Sequence, residues 1–444
     1  MRFLARKFFA PGCRAGVHPR CIATGACAAL LLACGVADAN PSRDFDRGAC
    51  LSIARMTALG AAEVDQMVAG FGPEAQLFAP AQCGVNLYRM TYQTVAPDGT
   101  PAVASGGVVV PTQCTGPFPL VEYNHGTWTT LGLLMSEPKM HTVQEVMGQF
   151  GGQGYAAVMP DYLGYGASSI AYHPYLHAAS SADVTLDAVR AARNCLPAGT
   201  LDDHLFLTGT SEGGYVTMAT HRAMEALGNG EFTISATVAT SGPYALADST
   251  EQMIRTNDGV PGYAWMQLQS YQHIYGDVYH LASEVFSRPY VDEPDFDKLL
   301  PNVESMAALT REGKLPRMLE GPFGLGLLTK GFTQDYLNKP DQPARQHALA
   351  NDLRDFVPVA PLTVCFGDPD TFAQANALAA ASWFQGQGVT IGQADVQNMA
   401  EYAAFIAQMG SKNYHSNVEA PACVAWAREF AFDPILHADS SARH

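Results

Sequence analysis

The strongest pattern in the chain is an apolar run, Leu205-Phe206-Leu207, that breaks at Gly209 and resumes beyond Ser211 as a helix-forming stretch over 212–227. A short apolar run predicts a buried strand, and Gly228 predicts a left-handed helix end. The same rhythm recurs on both sides. Residues 120–124, 156–159, 234–240 and 362–366 read as strands, with a further short one near Val389. Residues 143–153, 182–194, 372–384 and 421–432 read as helices, and Ser180 and Ser181 are N-cap candidates for the second of these. Strands interleaved with helices predict an α/β fold: a mostly parallel sheet covered by helices, with ligands at the carboxyl ends of the strands.

Two regions depart from this rhythm. Ahead of it, 85–95 and 103–110 alternate with period two around Pro97-Asp98-Gly99-Thr100, which predicts an antiparallel hairpin. Residues 40–82 are weakly patterned, with a helix expected over 52–71 on the outside of the core. From 247 to about 345 the chain turns helical and aromatic, carrying Tyr263, Trp265, Tyr271, Tyr275, Tyr279, Phe286, Tyr290, Phe296, Phe323, Phe332 and Tyr336. This stretch is expected to be an insertion capping the strand ends. The same aromatics also suit a helical subdomain that fills only its own core. Gly324-Leu325-Gly326 is no phosphate loop, because no strand precedes it and no Lys-Ser/Thr follows. The expected organisation is a leader over 1–39, a first core part over 40–245, a cap over 246–345 and a second core part over 346–444.

Composition narrows the class. With 444 residues, 48% hydrophobic and 15% charged, the chain has ample material for a core. Its net charge of -16 becomes about -20 without the first 39 residues, which carry five basic groups and one acid. Such a surface repels nucleic acid. Arg2, Arg6, Lys7, Arg14 and Arg20 ahead of an apolar run from 22 to 33 have the layout of an export signal, too short for a membrane span. Ala37-Asp38-Ala39 offers a cleavage site and secreted or periplasmic export is favoured; Leu31-Leu32-Ala33-Cys34 is the alternative, a lipobox that would anchor the chain to a membrane through Cys34. Beyond the leader six cysteines remain, Cys50, Cys83, Cys114, Cys195, Cys365 and Cys423, an even number in a compartment that permits disulfides. No spacing among them suggests a metal site.

Ser211 sits in Gly209-Thr210-Ser211-Glu212-Gly213, the G-x-S-x-G pattern in which a strand turns sharply into a helix and presents a serine hydroxyl. A serine needs a base, and the base needs an acid to fix its tautomer. The strand over 362–366 runs into Gly367-Asp368-Pro369-Asp370, which makes Asp370 the candidate acid and Asp368 the alternative. The base is expected between the last strand and the last helix, where only His415 qualifies; His444 lies in the terminal tail. The order Ser211, Asp370, His415 is the nucleophile-acid-histidine order of α/β-hydrolases. The strand over 120–124 ends in His125-Gly126-Thr127, so main-chain N–H groups of Gly126 or Thr127, with that of Glu212, are candidate oxyanion donors. His125 is expected to be structural, and the Glu212 side chain to face solvent unless it lines the pocket.

At these residues the chain resembles the secretory lipases of the α/β-hydrolase superfamily. The resemblance runs from about Val85 to Phe432 and rests on the hairpin, Tyr123-Asn124-His125-Gly126-Thr127, Pro160-Asp161-Tyr162-Leu163-Gly164-Tyr165-Gly166, the serine turn, and the Asp370 and His415 loops. It implies carboxylic ester hydrolysis by an acyl-enzyme route, no cofactor, a small-molecule or lipid ester substrate, and a helical lid within the 159 residues that separate Ser211 from Asp370. A Thr-Ser-Glu centre in the serine turn and a His loop without glycine after the histidine depart from the family pattern. The superfamily's strand order further implies a Cys114–Cys195 disulfide, and locality suggests Cys50–Cys83. An exopeptidase or amidase on the same fold, and a non-catalytic binding module, are the rival readings.

Overall fold

A computed structural model, describing residues 45–129, 132–256, 261–288, 291 and 327–442, contains one nine-stranded sheet in the order β1-β2-β3-β5-β4-β6-β7-β8-β9. The strands are β1 (Cys50–Leu59), β2 (Gly84–Val95), β3 (Pro101–Thr112), β4 (Phe118–Asn124), β5 (Ala156–Pro160), β6 (Leu201–Thr210), β7 (Ile234–Thr240), β8 (Leu362–Phe366) and β9 (Gly392–Asp395). From β5 to β9 all pairings are parallel, whereas β1, β2 and β3 add an antiparallel edge. This is an α/β-hydrolase fold, as the strand-helix rhythm implied.

The period-two side-chain alternation of strands divides the core in two. Leu120, Leu205, Leu207, Leu362 and Val364 face helices α3 (Ala178–Cys195) and α4 (Glu212–Leu227). Val121, Tyr123, Phe206 and Cys365 face α2 (His141–Gln149) and a C-terminal helix, Ala420–Trp426. Because both faces are covered, every residue of β4 and β5 is buried, and each large apolar side chain so placed contributes about 1.5–3 kcal/mol.

Four expectations need correction. Residues 52–59 are strand β1, not the start of a helix; only Ala61–Ala69 is helical there. β1 is an edge strand whose side chains are half or fully exposed, so burial leaves no apolar alternation to read. The helix α3 begins at Ala178, capped by His177, whose ring accepts the Ser180 N–H, and Ser180 and Ser181 are buried inside the helix. The short strand near Val389 falls at Gly392–Asp395.

The fourth correction concerns the disulfides, which are Cys50–Cys195, Cys83–Cys114 and Cys365–Cys423. Gly84 pairs with Thr112 at the open end of the β2–β3 hairpin, so Cys83 and Cys114 flank that end. Extending the hairpin register by one residue sets Gln113 opposite Cys83, and Cys114 lies one position beyond it. Cys50 opens β1, the strand misread as helix, and meets the end of α3.

In the expected cap, Leu246–Thr256 and Pro261–Tyr275 are helical, as are Lys330–Asn338 and Pro343–Ala350. Tyr271, Phe286 and Tyr336 are fully buried there. The Tyr271 hydroxyl donates to Leu176 O at 3.3 Å, while Tyr275 stacks on His347 with ring centroids 3.7 Å apart. The aromatics thus fill the helical region and also tie it to the loop ahead of α3. The leader with Cys34, Tyr290, Phe296, Phe323, Gly324-Leu325-Gly326 and His444 lie outside the described residues. Among the described residues no helix is long and apolar enough to cross a membrane.

Candidate active site

At the carboxyl ends of β4, β6, β7 and β8 the backbone is drawn unusually tight. Ser211 joins β6 to α4 with φ 60° and ψ -121°, a conformation costly for a residue with a side chain, on the order of 1–3 kcal/mol. Its N–H donates to Thr240 O at 2.9 Å, which ties the turn to the end of β7. Glycine is required beside it: a Cβ at Gly213 would lie 2.0 Å from Asn124 O, and one at Gly214 would lie 2.1 Å from Thr240 O. The first turn of α4 therefore lies flush against the ends of β4 and β7. Ser211 makes no capping hydrogen bond with its side chain, so the hydroxyl stays available at the half-buried tip of the turn.

Asp370 and His415 meet at the end of β8. His415 Nδ1 lies 2.5 Å from Asp370 Oδ2, and the other Asp370 oxygen accepts the Ala373 N–H at 2.9 Å, capping the helix Thr371–Gly386. Burial pushes the Asp370 carboxyl up, but the hydrogen bond and charge of His415 outweigh it and hold the group below its usual range. Asp368, the alternative acid, is exposed and bonded to Gln374 instead. His415 opens a single π-helical turn, His415–Glu419, which brings Glu419 onto the same face.

Glu419 carries no mark in the sequence, yet it is fully buried against this pair. Its Oε1 accepts a hydrogen bond from Ser241 Oγ at the end of β7. Burial first, then the Asp370 carboxylate, pushes its carboxyl up to about 9. One ligand atom each of Asp370, His415 and Glu419 lie within 4.8 Å of one another, a spacing that could hold a metal ion. The chemistry of this donor set fits a cation poorly, because Glu419 would have to give up a proton and His415 Nδ1 is already committed to Asp370.

The candidate oxyanion residues lie on the other side of the serine. β4 and β6 end side by side, with Asn124 paired to Gly209. A Cβ built on Gly126 would be 3.4 Å from Ser211 Cβ, so the chain leaving β4 passes directly against the serine. Thr127 Oγ1 lies 3.0 Å from the Tyr175 hydroxyl. At the start of α4 the leading N–H groups, that of Glu212 included, have no intrahelical partner. His125 is buried between the rings of Trp128 and Tyr162, 3.5 and 4.1 Å away by centroid, and burial pushes it down to about 3. Its ring is packed into this aromatic stack and not exposed at the strand end.

The Glu212 side chain does not face solvent. It is buried, and its Oε1 lies 2.6 Å from Nε2 of the equally buried His173, whose Nδ1 faces Leu163 O at 2.8 Å. Since Nδ1 must donate to that carbonyl, a single proton lies between Nε2 and Oε1. Burial above all, with the Glu212 carboxylate adding to it, raises the hydroxyls of the surrounding Tyr162, Tyr165, Tyr175 and, from the helical region, Tyr263.

No family model matches the sequence, and no curated protein is similar to it in sequence. Among solved structures, the chain is similar to a point variant of the rice cell wall degrading esterase LipA from Xanthomonas oryzae. Identity there is 28% and the TM-score 0.77, over 88% of this chain and all of the other. A ligand-bound form of the same esterase is similar at the same identity and coverage, with a TM-score of 0.75. The chain is a carboxylic ester hydrolase with an α/β-hydrolase fold. Two more distant structures share its fold: a protein from Legionella pneumophila (21% identity, TM-score 0.69, 86% of this chain and 99% of the other) and Candida antarctica lipase A (14%, 0.55, 80% and 77%). The hydrolase's three disulfides fit an extracellular or periplasmic protein.

Proposed function

We propose that this chain hydrolyses carboxylic esters through Ser211, His415 and Asp370. The observation that carries the reading is the 2.5 Å contact of Asp370 with His415 Nδ1, on the strand-end loops beside a strained serine turn whose hydroxyl is not spent on capping. Ser211 Oγ attacks the ester carbonyl carbon while His415 Nε2 takes the hydroxyl proton. The carbonyl oxygen becomes an oxyanion held by main-chain N–H groups at Gly126 or Thr127 and at Glu212. As the C–O bond to the alcohol breaks, His415 returns the proton to the departing oxygen and leaves an acyl-serine. Water then attacks the acyl carbon as His415 takes its proton, and His415 returns that proton to Ser211 Oγ as the bond from the acyl carbon to Oγ breaks, freeing acid and enzyme. Asp370 holds the ring in the tautomer that exposes Nε2.

The negatively charged body and the leader fit export, and the helices Leu246–Thr256, Pro261–Tyr275 and Lys330–Asn338 belong to a cap that shapes the acyl pocket. Similarity to a ligand-bound esterase supports a small-molecule ester as substrate. The decisive experiment is Ser211→Ala assayed on p-nitrophenyl esters of graded chain length, with a fluorophosphonate probe alongside. Turnover should fall by roughly five to six orders of magnitude and labelling should vanish. Near-normal turnover would sink the proposal, and cleavage confined to a parallel peptide panel would favour the amidase reading.

A further inference from the structure

Glu419 is a buried acid for which ester hydrolysis as described has no use. Three elements converge on it. Ser241, at the end of β7, is held by its N–H to Cys365 O at 3.0 Å and directs its hydroxyl to Glu419 Oε1. From the β8 loop comes the Asp370 carboxyl, one oxygen of which lies within 4.8 Å of a Glu419 carboxyl oxygen. On its own turn stand His415 and Tyr414, the latter pressed against Gly367. The remaining oxygen, Oε2, is buried and accepts no hydrogen bond of good geometry.

A buried carboxylate with an unpartnered oxygen, within 4.8 Å of a second carboxylate, is an arrangement that water would normally dissolve. It becomes satisfied when a proton sits on Oε2 and is donated to Asp370. We propose that Glu419 is a positioning residue of the hydrolytic site: it stays protonated, donates to Asp370, and so fixes that carboxylate on His415 Nδ1. The inference rests on the assignment of Asp370 and His415 above. Tyr244 and Tyr414, the other titratable groups facing Glu419, are pushed up and remain neutral, which leaves Asp370 as the anion beside it. The elevated Glu419 carboxyl agrees with this arrangement. The proton is spectator chemistry: it stays on Glu419 throughout turnover, and no bond to substrate involves it.

The test compares pH profiles of kcat and KM, by pH-stat on a soluble ester, for the full-length protein and for Glu419→Gln and Glu419→Leu. Active sites are counted by fluorophosphonate titration. In the parent, kcat should fall above about pH 9, where Glu419 ionises and two carboxylates oppose each other. Glutamine presents an N–H in place of the O–H, so Glu419→Gln should keep kcat within a few-fold, leave the acid limb unmoved and abolish that alkaline fall. Leucine has no donor, and kcat should drop about ten- to a hundredfold at every pH with KM unchanged. A Gln variant as slow as the Leu variant would overturn the proposal. So would a Gln variant whose acid limb moves down, because Glu419 would then have supported His415 as an anion.

Should neither variant fold, Ser241→Ala removes the hydroxyl that helps Glu419 ionise, and the alkaline fall should move upward. An unmoved fall would count against a protonated Glu419. Ser211→Ala run in parallel separates the two claims: if it retains activity the catalytic assignment fails, whereas its inactivity with a Leu-like Gln variant defeats only the role of Glu419.

Discussion

Asp370 divides its two oxygens between His415 and its own helix: Oδ2 lies 2.5 Å from His415 Nδ1, and Oδ1 accepts the Ala373 N–H at 2.9 Å. One side chain thereby fixes both the histidine ring and the loop that presents the acid. Asp370→Asn keeps the cap oxygen but turns an N–H₂ toward Nδ1 and favours the wrong tautomer. We expect kcat to fall about 10⁴-fold with little change in Tm. Asp370→Ala should lose a similar factor and, in addition, about 1 kcal/mol of stability in urea unfolding, because the cap goes too. Equal stability of the two variants would contradict the shared role.

The buried His173–Glu212 pair lies next to the serine, and half of it cannot stand alone. His173→Ala leaves Glu212 buried without its partner and should cost about 3–5 kcal/mol in urea unfolding. Glu212→Gln, which buries no charge, should cost clearly less. Equal losses would mean that the pair matters through packing and not through charge.

Stability should fall with rising pH. Burial, with Glu74 adding to it, pushes Glu145 up to about 8, although the unfolded chain ionises that group near 4.5. Between these values the folded state binds the proton and the unfolded state does not. The contribution of Glu145 is therefore complete below about pH 4.5 and lost as pH rises through about 8. Urea midpoints measured from pH 4 to 9 should decline in the parent and decline less in Glu145→Gln. A parallel slope in the variant would reject this source.

Cys365–Cys423 ties β8, which carries the acid loop, to the helix that follows His415, across 58 residues. Replacing both cysteines by serine should cost about 2–4 kcal/mol and lower activity more than it lowers expression. Loss of stability without loss of activity would show that the two loops hold their places independently.

At the serine turn, glycines differ in what they tolerate. Gly213→Ala places a methyl 2.0 Å from Asn124 O and should abolish soluble expression. Gly126→Ala meets Thr210 O at 3.3 Å and Ser211 Cβ at 3.4 Å, so the protein should fold with a reduced kcat. A soluble, stable Gly213→Ala variant would show that α4 can retreat from β4.

The sequence alone determined the parallel core, the serine turn and the order in which Ser211, Asp370 and His415 follow their strands. Those features are local: buried strands are continuous apolar runs, and a strand-to-helix turn needs glycines at fixed offsets. Strand β1 escaped because its exposed edge position leaves no alternation, and the N-cap of α3 escaped because an imidazole does there what a serine usually does. Only the tertiary structure decided the partners of the cysteines, the contact of His415 with Asp370 and not with Asp368, the burial of Glu212 against His173, and the convergence of Ser241, Asp370 and Glu419. Each of these joins residues that are brought together only by the folded chain, or depends on burial that sets which groups hold a proton. No spacing in one dimension records either.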